Sequence, residues 1–190
     1  MSFARITEQS FGVTRCVDHT QSMSEPPSPS DFYEARSQVF VAYLDYFRSR
    51  IVARIEELPV SALRESRLAS GWTPLQLVKH LTFVELRWLE WGFKGVSVDE
   101  PWGDWRDDHW FVAETETVEE VLAAFASQGV RSREIIEAND LATLGEPGPR
   151  WKGEQPPTLE RILFHLLGEY ARHVGHLDIV CELVIGSTGE

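Results

Sequence analysis

The stretch from Leu159 to Val184, LERILFHLLGEYARHVGHLDIVCELV, restricts the fold of this chain more than any other. At about 100° per residue, Leu159, Leu163, Leu166, Tyr170, Val174, Leu177, Cys181 and Val184 share one face of a helix, which other elements must cover. His173 falls at the edge of that face, with Glu169 beside it. A carboxylate and an imidazole four residues apart stand one above the other on a helix. Their oxygen and nitrogen can converge on one point, as metal sites in helical bundles require. The spacing makes this helix half of a candidate metal site.

Three more helical patterns supply the cover. From a cap at Ser30 or Asp31, a helix runs to about Leu58, with Phe32, Val39, Tyr43, Tyr46, Phe47, Ile51 and Ile55 at helical spacing, and Pro59 stops it. The second opens at Thr73 as N-cap with Pro74 at the first helical position, and Gly92 and Gly95 close it. Its apolar residues fall on two sides, which marks a buried helix and turns His80 toward packed protein, where each ring nitrogen needs a partner or a metal. The third runs from Thr117 or Val118 to about Asn139, through Val121, Leu122, Phe125, Val130, Ile135 and Ile136. Thr158 caps the fourth, without the capping-box Glu. Four long helices with two longer connections predict an all-α protein, a four-helix bundle. Residues 1–30 end in SEPPSPS and read as an arm or linker ahead of a bundle over 31–190; a strand through Phe11, Val13 and Val17 is the alternative.

A chain of 190 residues suits one domain. Its net charge of -12, with no Lys/Arg-rich run, disfavours phosphate backbones and anionic lipid, so nucleic acid and membrane are not expected partners. Cys16 and Cys181 do not form a disulfide framework, and the N-terminal residues lack the apolar core of a signal peptide. The expectation is a cytoplasmic protein.

Two segments, GWTPLQLVKHLTFVELRWLEWGF and HLLGEYARHVGHLDIVCELVIGSTGE, resemble the DinB-like superfamily, in particular its mycothiol-linked branch of mycothiol transferases and maleylpyruvate isomerase N-terminal domains. The resemblance spans Asp31 to Glu190. It implies a bundle of up-down-down-up topology, commonly a homodimer, with a divalent metal held by three side chains. The usual ligands are one His on the second helix and His-x3-His on the fourth; here Glu169 takes the middle position. That variant resembles mycothiol-dependent maleylpyruvate isomerase and related thiol S-transferases. By motif, His80, Glu169 and His173 are the implied ligands. Two imidazoles and a carboxylate leave positions open on zinc, as catalytic sites need, and also suit nickel or iron(II). The alternative is that His80 and His173 are core histidines and Glu169 a rim carboxylate.

Around this trio, Arg172 and His176 are the candidate contacts to a bound thiol, and Lys79, Arg87 and Arg172 are the nearest basic residues in sequence. His165 is a weaker ligand candidate. His109 lies in the acidic loop that carries Trp102, Trp105 and Trp110, whose rings either cover a pocket mouth or pack outside the bundle; His19 lies in the arm. Asp178 or Glu182 could orient a ligand imidazole or stay solvated. The functional expectation is a metal-dependent thiol transferase, with mycothiol as the cosubstrate implied by resemblance and an unidentified electrophile. Isomerisation is disfavoured, because related isomerases carry a further C-terminal domain and this chain ends at Glu190. The alternatives are a noncatalytic metal- or small-molecule-binding bundle of a stress response, and a metal-dependent hydrolase.

Overall fold

Three of the four helices start at a threonine. In the computed structural model, which describes residues 25–189, Thr73 Oγ1 accepts the Gln76 N–H at 3.3 Å while Gln76 Oε1 accepts the Thr73 N–H at 2.9 Å. Thr117 and Glu120 form the same reciprocal box, and Thr158 accepts from the Arg161 N–H. These caps open α2 (Pro74–Glu85), α3 (Val118–Glu137) and α4 (Leu159–Ile185). Gly186, at φ 72°, ends α4 in the left-handed region.

The first helix differs from expectation. Ser28 and Asp31 close a turn on each other, with the Ser28 N–H on Asp31 Oδ2 and the Asp31 N–H on Ser28 O. With that carboxylate occupied, α1 (Arg36–Glu57) begins later, where Gln38 Oε1 accepts the backbone N–H groups of Glu34 and Ala35. Phe32 is left outside the helix and is exposed, as is Val130 on α3. The expected arm falls mostly on residues 1–24; the alternative strand, Cys16 and His19 lie outside the described residues.

Cross-helix contacts fix the direction of each helix. Phe40 meets Phe164 near the starts of α1 and α4, and Arg54 meets Asp178 near their ends, so these two run parallel. Lys79 with Glu116, and Glu90 with Arg131, make α2 and α3 parallel. His80 faces His173 while Trp88 faces His165, so α2 and α4 are antiparallel. The topology is therefore up-down-down-up. Leu44, Ile51, Leu77, Leu81, Phe125, Ile136, Leu163, Leu166 and Leu177 fill the core between the helices.

A polar knot sits in that core. Glu85, 1% exposed, accepts from Arg48 of α1, Ser132 of α3 and the Tyr170 hydroxyl of α4, so each helix supplies one member. A buried carboxylate needs this degree of satisfaction. Beyond Glu85 the helix widens into a π-helical segment, Leu86–Phe93, in which the Lys94 N–H reaches back five residues to Leu89 O. Gly92 lies inside this segment rather than ending it: a Cβ there would lie 2.9 Å from Arg87 O and 3.1 Å from Arg150 Cδ. Gly95, at φ 64°, closes the segment. The tryptophan-rich connection holds a small antiparallel hairpin, β1 (Trp105–Arg106) and β2 (His109–Trp110), which the sequence pattern did not indicate. Asp107 and Asp108 take left-handed φ values of 51° and 61° at its tip. Such a two-residue turn needs that conformation, and Asp tolerates it.

Candidate metal centre

His80 on α2 and Glu169 and His173 on α4 offer ligand atoms that all lie within 4.8 Å of one another. The i,i+4 spacing on α4 brings His173 Nε2 to 3.3 Å from Glu169 Oε2, and the antiparallel pairing sets the His80 ring 5.2 Å from that of His173. Glu169 and His80 keep 16% and 14% of their side chains exposed, so the group lies within reach of solvent, while His173 is enclosed.

His80 is oriented from behind. Its Nδ1 lies 3.0 Å from Asp104 Oδ2, and Arg87 grips the same carboxylate through Nη1 at 2.5 Å and Nη2 at 3.1 Å. Burial pushes the Asp104 carboxyl up, but the hydrogen bonds from His80 and Arg87, and the Arg87 charge, hold it below the usual range. The contact between Asp104 and His80 Nδ1 leaves the other ring nitrogen, Nε2, free for the cluster, the carboxylate–histidine pairing typical of metal ligands. The sequence reading missed this residue: Asp104 sits in an acidic loop where no periodicity distinguishes it from Asp99, Asp107 or Asp108.

His173 is 4% exposed. Burial, reinforced by His80 and His176 and opposed by Glu169, lowers its pKa to about 4. It is neutral at pH 7 and can offer a lone pair. The Nδ1 atoms of both His173 and His176 are buried without a hydrogen-bond partner. Imidazoles with unmatched nitrogens beside a carboxylate form a donor set with capacity to spare, which fits a divalent cation.

Trp110 roofs the cluster, its ring 4.3 Å from His80 in a near-parallel stack and 5.3 Å from His173. The Phe111 N–H on Asp104 O ties this roof to the residue that orients His80. Trp102 and Trp105 behave otherwise: both are exposed, and Trp102 lies against the Arg87 guanidinium at 4.4 Å. Only one of the three rings therefore covers the cluster.

The remaining candidates separate clearly. His176 adjoins His173, with ring centroids 5.4 Å apart. Arg172 is exposed, with Nη1 3.9 Å from Glu169 Oε1, and His165 Nε2 approaches the same oxygen at 3.7 Å. His109 turns outward onto Asp107 O. Asp178 orients no ligand imidazole and is not a solvated charge, because it accepts from the buried Arg54 at 2.7 Å; Glu182 is exposed. Two of the three expected basic contacts are already engaged, Lys79 by Glu116 and Arg87 by Asp104.

Fold and site together define a DinB-like four-helix bundle with a two-histidine, one-carboxylate cluster between its second and fourth helices. The family model for mycothiol-S-transferases matches residues 39–186, and the chain belongs to that family. Among solved structures it is similar to YfiT from Bacillus subtilis, described as "a probable metal-dependent hydrolase with an unusual four-helix bundle topology". The likeness has a TM-score of 0.55 at 17% identity and covers 85% of this chain and 97% of that one. The curated proteins contain no match.

Proposed function

We propose that His80, Glu169 and His173 hold one divalent ion, zinc in the first instance with nickel or iron(II) as alternatives, and that the protein transfers a small thiol, mycothiol, onto an electrophile. The observation that carries this reading is the convergence of three donors, one of them oriented by Asp104, under the Trp110 ring. A bound ion of this kind would favour the thiolate form of a coordinated thiol. The chain's own part is to hold and orient. Asp104 keeps His80 in one tautomer, burial keeps His173 neutral, and Trp110 limits water on the histidine side. Arg172 and His176, which adjoin Glu169 and His173, are the contacts we assign to a bound thiol's polar groups. Cys181 is not the nucleophile: it is fully buried, and burial pushes its thiol up to about 11.

The protein acts as a cytoplasmic homodimer, with residues 1–30 as an arm outside the 31–190 bundle. Phe164, Ile179 and Leu183 are exposed along α4, which supports pairing of two copies, and light scattering tests it. No helix among the described residues is long and apolar enough to cross a membrane.

Elemental analysis of tag-free native protein, His80→Ala and His173→Ala tests the metal reading. The expected result is near one ion per chain in native protein and loss in both variants. No metal in native protein after incubation with zinc, nickel or iron(II) refutes it. Electrophile turnover that needs both metal and thiol then identifies a transferase. Metal-dependent turnover without thiol identifies a hydrolase, as YfiT is described to be in the words "probable metal-dependent hydrolase", and metal without turnover leaves a binding protein.

A further inference from the structure

In a chain of net charge -12, a half-buried arginine packed among aromatic rings without an acid is unexpected. Arg150, in the connection before α4, lies 4.2 Å from the Trp88 ring and 5.4 Å from those of Trp91 and Trp151. The cage is built deliberately into the fold: Trp151 Nε1 donates to Gly92 O at 2.7 Å, and the missing side chain at Gly92 lets the Arg150 stem approach. Yet Arg150 Nε is buried without a hydrogen-bond partner, and no acid among the described residues accepts from this side chain. Burial and the nearby Arg87 even depress its pKa. The more deeply enclosed guanidinium groups of the bundle each have a carboxylate: Arg48 has Glu85, Arg54 has Asp178 and Arg87 has Asp104.

The cage adjoins the candidate metal centre. Trp88 packs on His165 at 4.4 Å, and His165 Nε2 lies 3.7 Å from Glu169 Oε1. Arg172, also near Glu169, and the half-exposed His165 form the outer edge of the same surface. Aromatic faces hold a guanidinium flat and leave its in-plane N–H groups to a planar acceptor. A carboxylate supplies that acceptor as a bidentate partner and restores the missing neutralisation.

We infer that Arg150, caged by Trp88, Trp91 and Trp151, is the seat for a carboxylate of the small-molecule substrate that reaches the His80–Glu169–His173 cluster. This deepens the proposed function by giving the electrophile an acid group, and it rests on that reading for the identity of the ligand, not for the binding itself. Lys79 and Arg87, the basic residues that the sequence suggested, cannot serve without giving up Glu116 and Asp104.

The test is a titration of the full chain with acetate at constant ionic strength, followed by tryptophan fluorescence, with acetamide as the neutral isostere. Zinc-loaded and metal-stripped samples are both titrated. Acetate should produce a saturable change in native protein and acetamide none. Arg150→Ala should weaken acetate binding by about tenfold or more, the scale of a charge-assisted hydrogen-bonded pair. Arg150→Lys, which keeps the charge and loses the planar fork, should fall between. An identical titration in native protein and Arg150→Ala overturns the assignment, and so does the absence of any carboxylate response in native protein. If Arg150→Ala does not fold, Arg150→Lys and the native titration decide. A normal acetate response in protein that never takes up zinc removes the metal reading and leaves Arg150; the converse removes Arg150 alone.

Discussion

Replacing Asp104 with alanine should damage the protein in two separable ways. Asp104 is 1% exposed and joins the buried Arg87 to His80. Its loss strands the Arg87 guanidinium, 4% exposed, with only Pro101 O as a remaining acceptor. Breaking a buried pair from one side costs about 3–5 kcal/mol. For a chain of this size each kcal/mol corresponds to about 2–4 °C, so metal-free Asp104→Ala should melt roughly 6–20 °C below native protein. Removing the partner that orients a ligand imidazole should also weaken zinc about 10–100-fold. Adding Arg87→Met separates the effects, because the stranded charge goes while His80 stays unsupported. The double variant should recover much of the melting temperature and none of the zinc affinity. Circular dichroism melts in chelator and competition against a chromophoric chelator read the two quantities. If Asp104→Ala melts within about 2 °C of native protein and binds zinc equally well, the carboxylate neither neutralises Arg87 nor orients His80, and the reasoning fails.

Glu85→Ala removes the acceptor shared by Arg48, Ser132 and Tyr170, and should destabilise by about 3–5 kcal/mol in a denaturant titration; a loss below about 1 kcal/mol would show the knot to be dispensable. Trp110→Ala uncovers the histidine side of the centre, so stripping of zinc by a chelator should quicken in stopped flow with little change in melting temperature. Cys181 should resist a thiol reagent in folded protein at pH 8. Its pKa of about 11, raised by burial from 9.0, also predicts a loss of stability as the pH climbs from about 9 to 11, where the unfolded thiol ionises and the folded one does not; Cys181→Ala should flatten that part of the stability–pH curve.

The helices were legible because their signals are local. Thr73, Thr117 and Thr158 cap within three residues of themselves, and the apolar stripes of α2 and α4 repeat with the helical turn. The start of α1 was not, because Asp31 has two uses for its carboxylate and closes a turn with Ser28. Glu169 and His173 could be paired from spacing alone, whereas their approach to His80 rested on a resemblance until the antiparallel α2–α4 contact appeared. Asp104 and Arg150 escaped because loop residues carry no period, and their partners are distant in sequence or absent. The π-helical segment has no compositional mark at all. It follows Glu85, where the core holds a charge instead of a hydrocarbon side chain.

The parallel pairing of α1 with α4 also affects the order in which the protein can be made. Arg54 near the end of α1 is clamped by Asp178, Ser187 and the Thr188 carbonyl, the last of these 134 residues further along the chain. At about 5–20 residues per second, the ribosome needs on the order of ten seconds to deliver that partner. During this interval the apolar face of α1 has no α4 to cover it, while α2 and α3 can already pair beside it. Completion of the bundle therefore waits for α4, and a nascent chain arrested before Leu159 would present the α4-facing side of α1 to chaperones uncovered.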